Sequence, residues 1–206
     1  MSDESAQPPS EQPATPKAPS GRPRDPAIDD RVLAAARASL VEVGWDATSI
    51  RGIAERAGVS RPAIARRWPS KTHLVLEALL GAEPNMVPFE GVDLRGWIDG
   101  VVDGSFELFG REDMQSAMPG LLATLRDHDD LRAAMWDGFV GPATELAVDQ
   151  GAAAAKVARA AIAVAAGAAL FTSVMVGDDP ALMASVRSLV SDALVSSLVE
   201  HDEHVD

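Results

Sequence analysis

The chain has 206 residues, with 31 acidic and 18 basic side chains, a formal net charge of −13 and no cysteine. The lack of cysteine excludes disulfide frameworks, thiolate zinc sites and thiol nucleophiles. Hydrophobic residues make up 47% and charged residues 24%, which is typical of a globular protein of one domain or two small ones. No secretory signal is visible, and the apolar run 160–176 falls short of a membrane-span pattern. We therefore expect a cytoplasmic protein with no membrane partner.

The charge is distributed unevenly along the chain. Residues 21–80 contain ten basic and seven acidic side chains, whereas residues 81–206 contain seven basic and twenty-one acidic ones. This asymmetry favours a polyanion as the partner of the N-terminal part. The alternative is that these charged side chains simply form solvent-exposed surface and that their uneven distribution along the chain arises by chance.

The N-terminal third predicts a tail, a cationic arm and a first helix. Residues 1–20 are rich in Ser, Pro, Gln and Ala without an apolar period, and we predict that they are disordered. The arm Gly21–Arg24 is basic. Apolar residues at helical spacing then predict a helix that begins at Pro26 and ends at Gly44, with Trp45 folding back onto its apolar face.

Residues 48–68 predict two short helices around a tight turn. Thr48 is the expected N-cap of the first of them, Gly58 supplies the turn, and Ser60 caps the second, which closes at Trp68. A further helix follows from Ser70 to about residue 81. Helix, glycine turn and helix in this order form a helix-turn-helix motif.

The rest of the chain predicts helices only. A linker at 83–90 leads to helices at about 92–110, 112–127, 129–149, 152–176 and 181–200, with breaks or kinks at Pro119-Gly120 and Gly141-Pro142. We expect an all-α protein with a disordered tail at 1–20, a three-helix helix-turn-helix DNA-binding domain at 21–82 and a larger helical domain at 83–206.

The second helix of the motif and its flanks, GVSRPAIARRWPSK, hold four basic residues and no acidic one. In a helix-turn-helix this helix enters the major groove. We expect Arg61 to bridge guanine O6 and N7. The full set of expected DNA contacts comprises the arm, the helix caps, the groove-facing residues and the phosphate-binding cations: Arg22, Arg24, Thr48, Arg51, Ser60, Arg61, Pro62, Ala63, Arg67 and Lys71. Pro62 and Ala63 are assigned to thymine methyl groups.

Residues 48–71, TSIRGIAERAGVSRPAIARRWPSK, resemble the DNA-binding signature of tetracycline-repressor (TetR) family transcriptional regulators. The resemblance covers residues 26–80 well and extends to 81–206 only in architecture. It implies a homodimer, a repressor role, a double-stranded DNA operator and a small-molecule effector bound in the C-terminal domain. The positions that match the family pattern are Thr48, Ile53-Ala54, Ala57-Gly58-Val59-Ser60, Trp68, Ser70, and Lys71 with Leu74.

Four positions depart from the family pattern. Ala65 stands where the family often has a DNA-contacting Tyr, and Pro62 stands where Gly or a polar residue is frequent. Trp68 replaces the usual Phe, and Arg67 takes a position often held by His. We infer a base preference that differs from that of close relatives.

The residues themselves favour a dimer interface on the last two helices, where small residues permit close helix approach. The expected interface residues are Ala163, Gly167, Leu182, Val186, Leu189 and Ala193. The alternative is that these residues of the last two helices pack into the core of one subunit.

Bulky apolar residues near the proline breaks predict a ligand pocket for a neutral or cationic apolar molecule. An ordinary core is the alternative interpretation. The candidate residues are Trp97, Phe106, Phe109, Met114, Met118, Leu122, Met135, Trp136, Phe139, Phe171 and Met175.

No motif for a metal, a cofactor or catalysis stands out. His128 lies among acidic residues, but Asp129 is better explained as a helix cap, and phosphate loops, nucleophile elbows and HExxH are missing from the sequence. We expect no metal, no cofactor and no enzyme activity. Two alternatives remain: a ligand-binding or protein-interaction module whose first domain no longer reads DNA, and an enzyme that uses the helical cavity.

Overall fold

The computed structural model describes residues 26–81, 85–149, 155–176 and 179–199, and these ranges are helical and contain no strand. Ten α-helices are joined by a 3-10 turn at Val87–Phe89 and a π-helical turn at Trp136–Val140. The helices are α1 Pro26–Ala47, α2 Ile50–Ala57, α3 Arg61–Ala65, α4 Lys71–Leu80, α5 Leu94–Gly110, α6 Glu112–Asp127, α7 Asp129–Met135, α8 Gly141–Asp149, α9 Ala155–Met175 and α10 Pro180–Val199. The predicted all-α class is confirmed.

The first helix is interrupted at Gly44, the residue that was predicted to end it. Gly44 has a φ of +73°, which interrupts the helical backbone of α1 three residues before its last residue. The Thr48 hydroxyl then donates a 2.7 Å hydrogen bond to the Gly44 carbonyl. We predicted Thr48 as the N-cap of α2, and this is wrong: Ser49 is the N-cap, because its hydroxyl accepts the Gly52 N–H at 3.1 Å.

The turn between α2 and α3 is built on Gly58, which has a φ of +66° and closes α2 in the left-handed conformation. This turn brings Ile64 of α3 and Trp68 into the buried core of the first domain with Ile53 of α2. The Trp68 indole N–H reaches the Glu77 carboxylate of α4 at 2.7 Å. The core therefore fixes α3 from one side and leaves its opposite side to solvent.

The second domain has its core between α5, α9 and α10. Trp97 of α5 is fully buried there, and its indole N–H donates to the Ala143 carbonyl at 2.9 Å. Helix α9 is long and apolar enough to cross a membrane by length and composition. Its Ala158, Ala161 and Ala165 pack into this core.

The two predicted proline breaks have different outcomes. Helix α6 runs through Pro119 from Glu112 to Asp127, so of the predicted break or kink the break is wrong. Gly120 serves instead as a close-approach site, because a Cβ at this position would lie 2.0 Å from Nε1 of Trp45. At Gly141-Pro142 the π-helical turn precedes the start of α8, which is a change of helix geometry at the predicted place.

A shared apolar cluster, which we call the domain joint, connects the two domains. Two arginines reinforce it: Arg37 of α1 donates to the Ala78 carbonyl at 2.8 Å, and Arg111 donates to the Leu79 carbonyl at 2.9 Å. These bonds satisfy carbonyls at the C-terminal end of α4. The buried members of the joint are Leu40, Val75, Leu79, Met114, Ala117, Met118 and Leu121.

The Gly120 contact gives a direct test of the joint. Gly120→Ala should lower the free energy of unfolding by about 1–3 kcal/mol, because the added methyl group displaces the Trp45 indole. Urea unfolding followed by circular dichroism measures this change. Gly104→Ala in α5 is the matched control, since a Cβ there meets open space, and it should stabilise the protein by about 0.5–1 kcal/mol. Equal effects of the two substitutions would contradict the role given to Gly120.

Candidate nucleic-acid interface

The exposed side of α3 forms the candidate interface. Arg61, Pro62 and Ala65 are exposed there, together with Arg66 directly after the helix. Ile64 lies on the opposite side in the core, which fixes the rotation of the helix. We call the four exposed residues the recognition surface. Ser60 is exposed beside it, whereas Ala63 is partly buried.

The recognition surface carries two cations that are not neutralised. Within the described ranges, neither Arg61 nor Arg66 forms an ion pair. Arg51 of α2, by contrast, pairs with Glu55 at 2.9 Å, although its side chain is 75% exposed. Such exposed pairs contribute little and exchange readily, so Arg51 remains available to a phosphate. Arg22 and Arg24 lie outside the described residues.

Arg67, which we predicted to bind phosphate, has a different role. Its Nε forms an ion pair with the Asp29 carboxylate of α1, and both side chains are largely buried. The two atoms are buried and have no hydrogen-bond partner among the described residues, so the ion pair is their compensation for lost water. Arg67 therefore ties the end of the recognition helix to α1.

Lys71 is also drawn inward, so we reassign its predicted phosphate contact. Its ammonium donates to the carbonyls of Trp45 at 2.8 Å and Thr48 at 3.1 Å, and it lies 4.2 Å from the centre of the Trp45 ring. Burial lowers the pKa of the Lys71 ammonium, and the charge of Asp46 partly opposes this shift. Thr48 itself is 2% exposed, so its side chain does not reach a phosphate either.

Two residues of this surface were not among the predicted DNA contacts: Ala65, which was named only as a departure from the family pattern, and Arg66. Counting from Pro62, they occupy positions i+3 and i+4, which share one side of a helix. This helical spacing was the sequence signal that could have placed both residues on the surface. Ala63, which was predicted as a contact, is partly buried instead.

A wholly apolar cavity of about 160 Å³ lies in the second domain next to the joint. Helix α4 contributes Leu76, Leu79 and Leu80 to its wall, and α9 contributes Leu170; none of these four was among the predicted pocket residues. Five predicted pocket residues line it: Phe109, Met114, Met118, Leu122 and Met135.

The other predicted pocket residues lie elsewhere, and their assignment is corrected. Trp97 and Phe106 belong to the core between α5 and α9. Trp136 and Phe139 are partly buried in the π-helical turn, away from the cavity wall. Phe171 and Met175 are 62% and 67% exposed on the outer side of α9. The helical spacing of apolar residues does not by itself show which side of an apolar helix faces the core.

The outer sides of α9 and α10 form an exposed apolar face. Leu189 is 70% exposed, and Val164 and Val174 are more than half exposed. Five of the six predicted interface residues are exposed here, namely Ala163, Gly167, Leu182, Leu189 and Ala193. Val186 is partly buried and packs against the core.

Comparison with known proteins identifies the class. Residues 32–78 match the family model for bacterial regulatory proteins of the tetR family. An uncharacterized HTH-type transcriptional regulator of Mycobacterium bovis is 32% identical over 123 residues, which is 58% of this chain and 65% of that protein. The aligned segment thus spans just under two thirds of that relative's length.

Two solved structures share the fold. A TetR transcriptional regulator from Rhodococcus sp. RHA1 superposes with a TM-score of 0.61 at 19% identity, over 84% of this chain and 98% of that one. NalD of Pseudomonas aeruginosa, described as the secondary repressor of the MexAB-OprM multidrug efflux pump, gives 0.54 at 21% identity, over 85% and 97%.

The fold and the recognition surface define a helix-turn-helix protein with a helical C-terminal domain. Residues 32–78 match the tetR family of bacterial regulatory proteins, and the chain shares its fold with the TetR regulator described above. The relative above is described as a transcriptional regulator, and the expectation that this chain is not an enzyme stays a prediction.

The Arg67–Asp29 pair predicts a positioning effect. Asp29→Asn leaves a buried guanidinium without its counter-charge, so the free energy of unfolding should fall by roughly 1–3 kcal/mol and DNA affinity should fall with it. Urea unfolding and fluorescence anisotropy measure the two quantities. Asp30→Asn is the control, because Asp30 is exposed on the same turn and should change stability by less than about 0.5 kcal/mol. If Asp29→Asn left both quantities unchanged, Arg67 would not be a positioning residue.

Proposed function

We propose that the chain is a homodimeric, sequence-specific transcriptional repressor that a small apolar ligand releases from a near-palindromic operator. The observation that carries this proposal is the exposed α3 surface with two cations, Arg61 and Arg66, that lack ion-pair partners among the described residues. Such a regulator acts on DNA in the cytoplasm. NalD, which has the same fold, is described as a repressor, and this supports the choice of repressor over activator.

The recognition surface supports base reading in the major groove. The guanidinium group of Arg61 has the paired donors that guanine O6 and N7 accept, and Pro62 offers apolar contact to a thymine methyl group. Arg51 and Arg66, on either side, are suited to the phosphates that set affinity and its salt dependence. In a dimer, two such helices about 34–36 Å apart engage successive major grooves, and the operator is then an inverted repeat.

The exposed face of α9 and α10 supports the homodimer. A contiguous set of exposed apolar residues marks an interaction site in a soluble protein. Gly167 and Ala163 allow the partner helix to approach closely, and Leu189 and Phe171 supply apolar area. Two helices from each subunit then form a four-helix interface.

Helix α4 supports release by a ligand, because it belongs to both domains. Leu74 and Ala78 pack into the core of the helix-turn-helix domain. Leu76 and Leu80 line the apolar cavity on the other side of the same helix. A ligand that fills the cavity and displaces α4 changes the position of α3, and it shifts the population away from the DNA-competent state.

Selection of bound duplexes from a random DNA pool at about 0.15 M salt tests the function. We expect an enriched inverted repeat. Arg61→Ala should relax the base preference at one position per half-site and cost about 1–3 kcal/mol, whereas Arg66→Ala should weaken all sequences alike and reduce the salt slope by about one unit. No enrichment, with weak salt-sensitive binding only, would contradict base reading. Small apolar aromatic compounds titrated onto the bound operator should release it, and tight ligand binding without release would contradict the ligand mechanism.

The dimer has its own test. Leu189→Asp should convert the dimer into a monomer and abolish operator binding, because it places a charge in the apolar centre of the interface. Analytical ultracentrifugation measures the mass. Ser188→Asp is the matched control, since Ser188 is exposed on the adjacent side of α10, where it faces α5, and this variant should remain a dimer. A dimeric Leu189→Asp protein would show that the subunits associate elsewhere.

A further inference from the structure

We propose that a shallow notch beside α3 reads the 5-methyl group of a pyrimidine in the operator, next to a guanine that Arg61 contacts. The notch is lined by Ile50, Arg61, Pro62 and Ala65. This inference rests on the proposed DNA-binding function and deepens it, because it names the chemical group that is read and the residue that sets the preference.

The chemistry of the notch suits a methyl group. Three of its four lining residues are apolar, and the fourth, Arg61, contributes a cation. No carboxylate or carboxamide side chain lines it, so it offers no acceptor to the amino group of cytosine or adenine. In the major groove, thymine differs from the other bases in presenting an apolar group, its C5 methyl.

Ala65 creates the notch. It lies one turn beyond Arg61 on the same exposed side of α3, and its short side chain leaves the space open between Pro62 and Ile50 of the preceding helix. Ile50 is partly buried and packs against the domain core, so the floor is held in place. A larger side chain at position 65 would fill the space, which makes Ala65 the specificity-determining residue.

Charge directs the notch toward nucleic acid rather than toward an apolar protein segment. Arg61 lines the notch, and Arg66 follows the same helix turn. Within the described ranges neither has a counter-ion, although acidic residues are in excess in the chain as a whole. A surface that keeps two free guanidinium groups beside an apolar notch is complementary to a phosphate-flanked base edge.

The position of Arg61 also defines the neighbouring base. A guanidinium that bridges guanine O6 and N7 lies in the plane of that base, so an apolar contact beside it falls on an adjacent base pair. We therefore expect each half-site to contain a guanine adjacent to a methyl-bearing pyrimidine. Thymine and 5-methylcytosine present the same methyl group, and the experiment separates them.

The test uses the full-length protein and the selected operator. Each thymine is replaced in turn by uracil, which removes only the methyl group, and the Kd is measured by fluorescence anisotropy. We expect one symmetry-related position per half-site, adjacent to a guanine, where the Kd rises about fourfold, the value of one buried methyl group. At that position, 5-methylcytosine should bind more tightly than cytosine by a similar factor; a gain for thymine alone would assign the site to A·T pairs.

Two variants connect the effect to the notch. Ala65→Leu fills the notch and should abolish the difference between thymine and uracil at that position. Arg66→Ala is the control: it should weaken binding to both duplexes and leave their ratio unchanged. Both variants are compared with the wild-type protein by circular dichroism to verify folding.

The outcomes separate this inference from the function on which it rests. An inverted repeat that tolerates every thymine-to-uracil change overturns methyl reading and leaves the repressor proposal standing. Persistence of the thymine preference in Ala65→Leu overturns the assignment to the notch. Failure to select any sequence overturns both proposals together.

Discussion

The structure depends on how the end of α4 is held between the two domains. Carbonyls at a helix C-terminus need hydrogen-bond donors when they are removed from water. Here the carbonyls of Ala78 and Leu79 receive Arg37 from α1 and Arg111 from the start of α6. Arg111 is in turn paired with the buried carboxylate of Asp113 at 2.6 Å. Since the donors come from both sides, α4 cannot move without changing the contact between the domains.

The same principle divides the basic residues of the first domain into two groups. Lys71 donates to a backbone carbonyl and Arg67 pairs with a carboxylate within the protein. These contacts fix the positions of α1, α3 and α4 relative to one another. Arg61 and Arg66 project outward from α3. Fewer cations are therefore available to DNA than the sequence count suggests, and the two on the recognition surface without an ion pair among the described residues lie in α3 and directly after it.

Apolar surface in the second domain is divided in a similar way. Trp97 and its neighbours form a closed core, Met114 and Met118 border both the joint and the cavity, and Leu189 and Phe171 remain exposed. Each apolar set has a different consequence: the first gives stability, the second gives a dry space beside α4, and the third gives a face that a second subunit can cover.

The sequence by itself determined the class, the order of the helices and most of their ends, because Gly58, Ser70 and the apolar periods act through local backbone preferences. It also predicted that α3 is the recognition helix. Only the tertiary structure decided which cations are free and which apolar residues face the cavity. Arg67 and Arg61 are the same residue type in one short segment, and only the proximity of Asp29 distinguishes them. Phe109 and Phe171 differ likewise, because the side of an apolar helix that is buried depends on what packs against it.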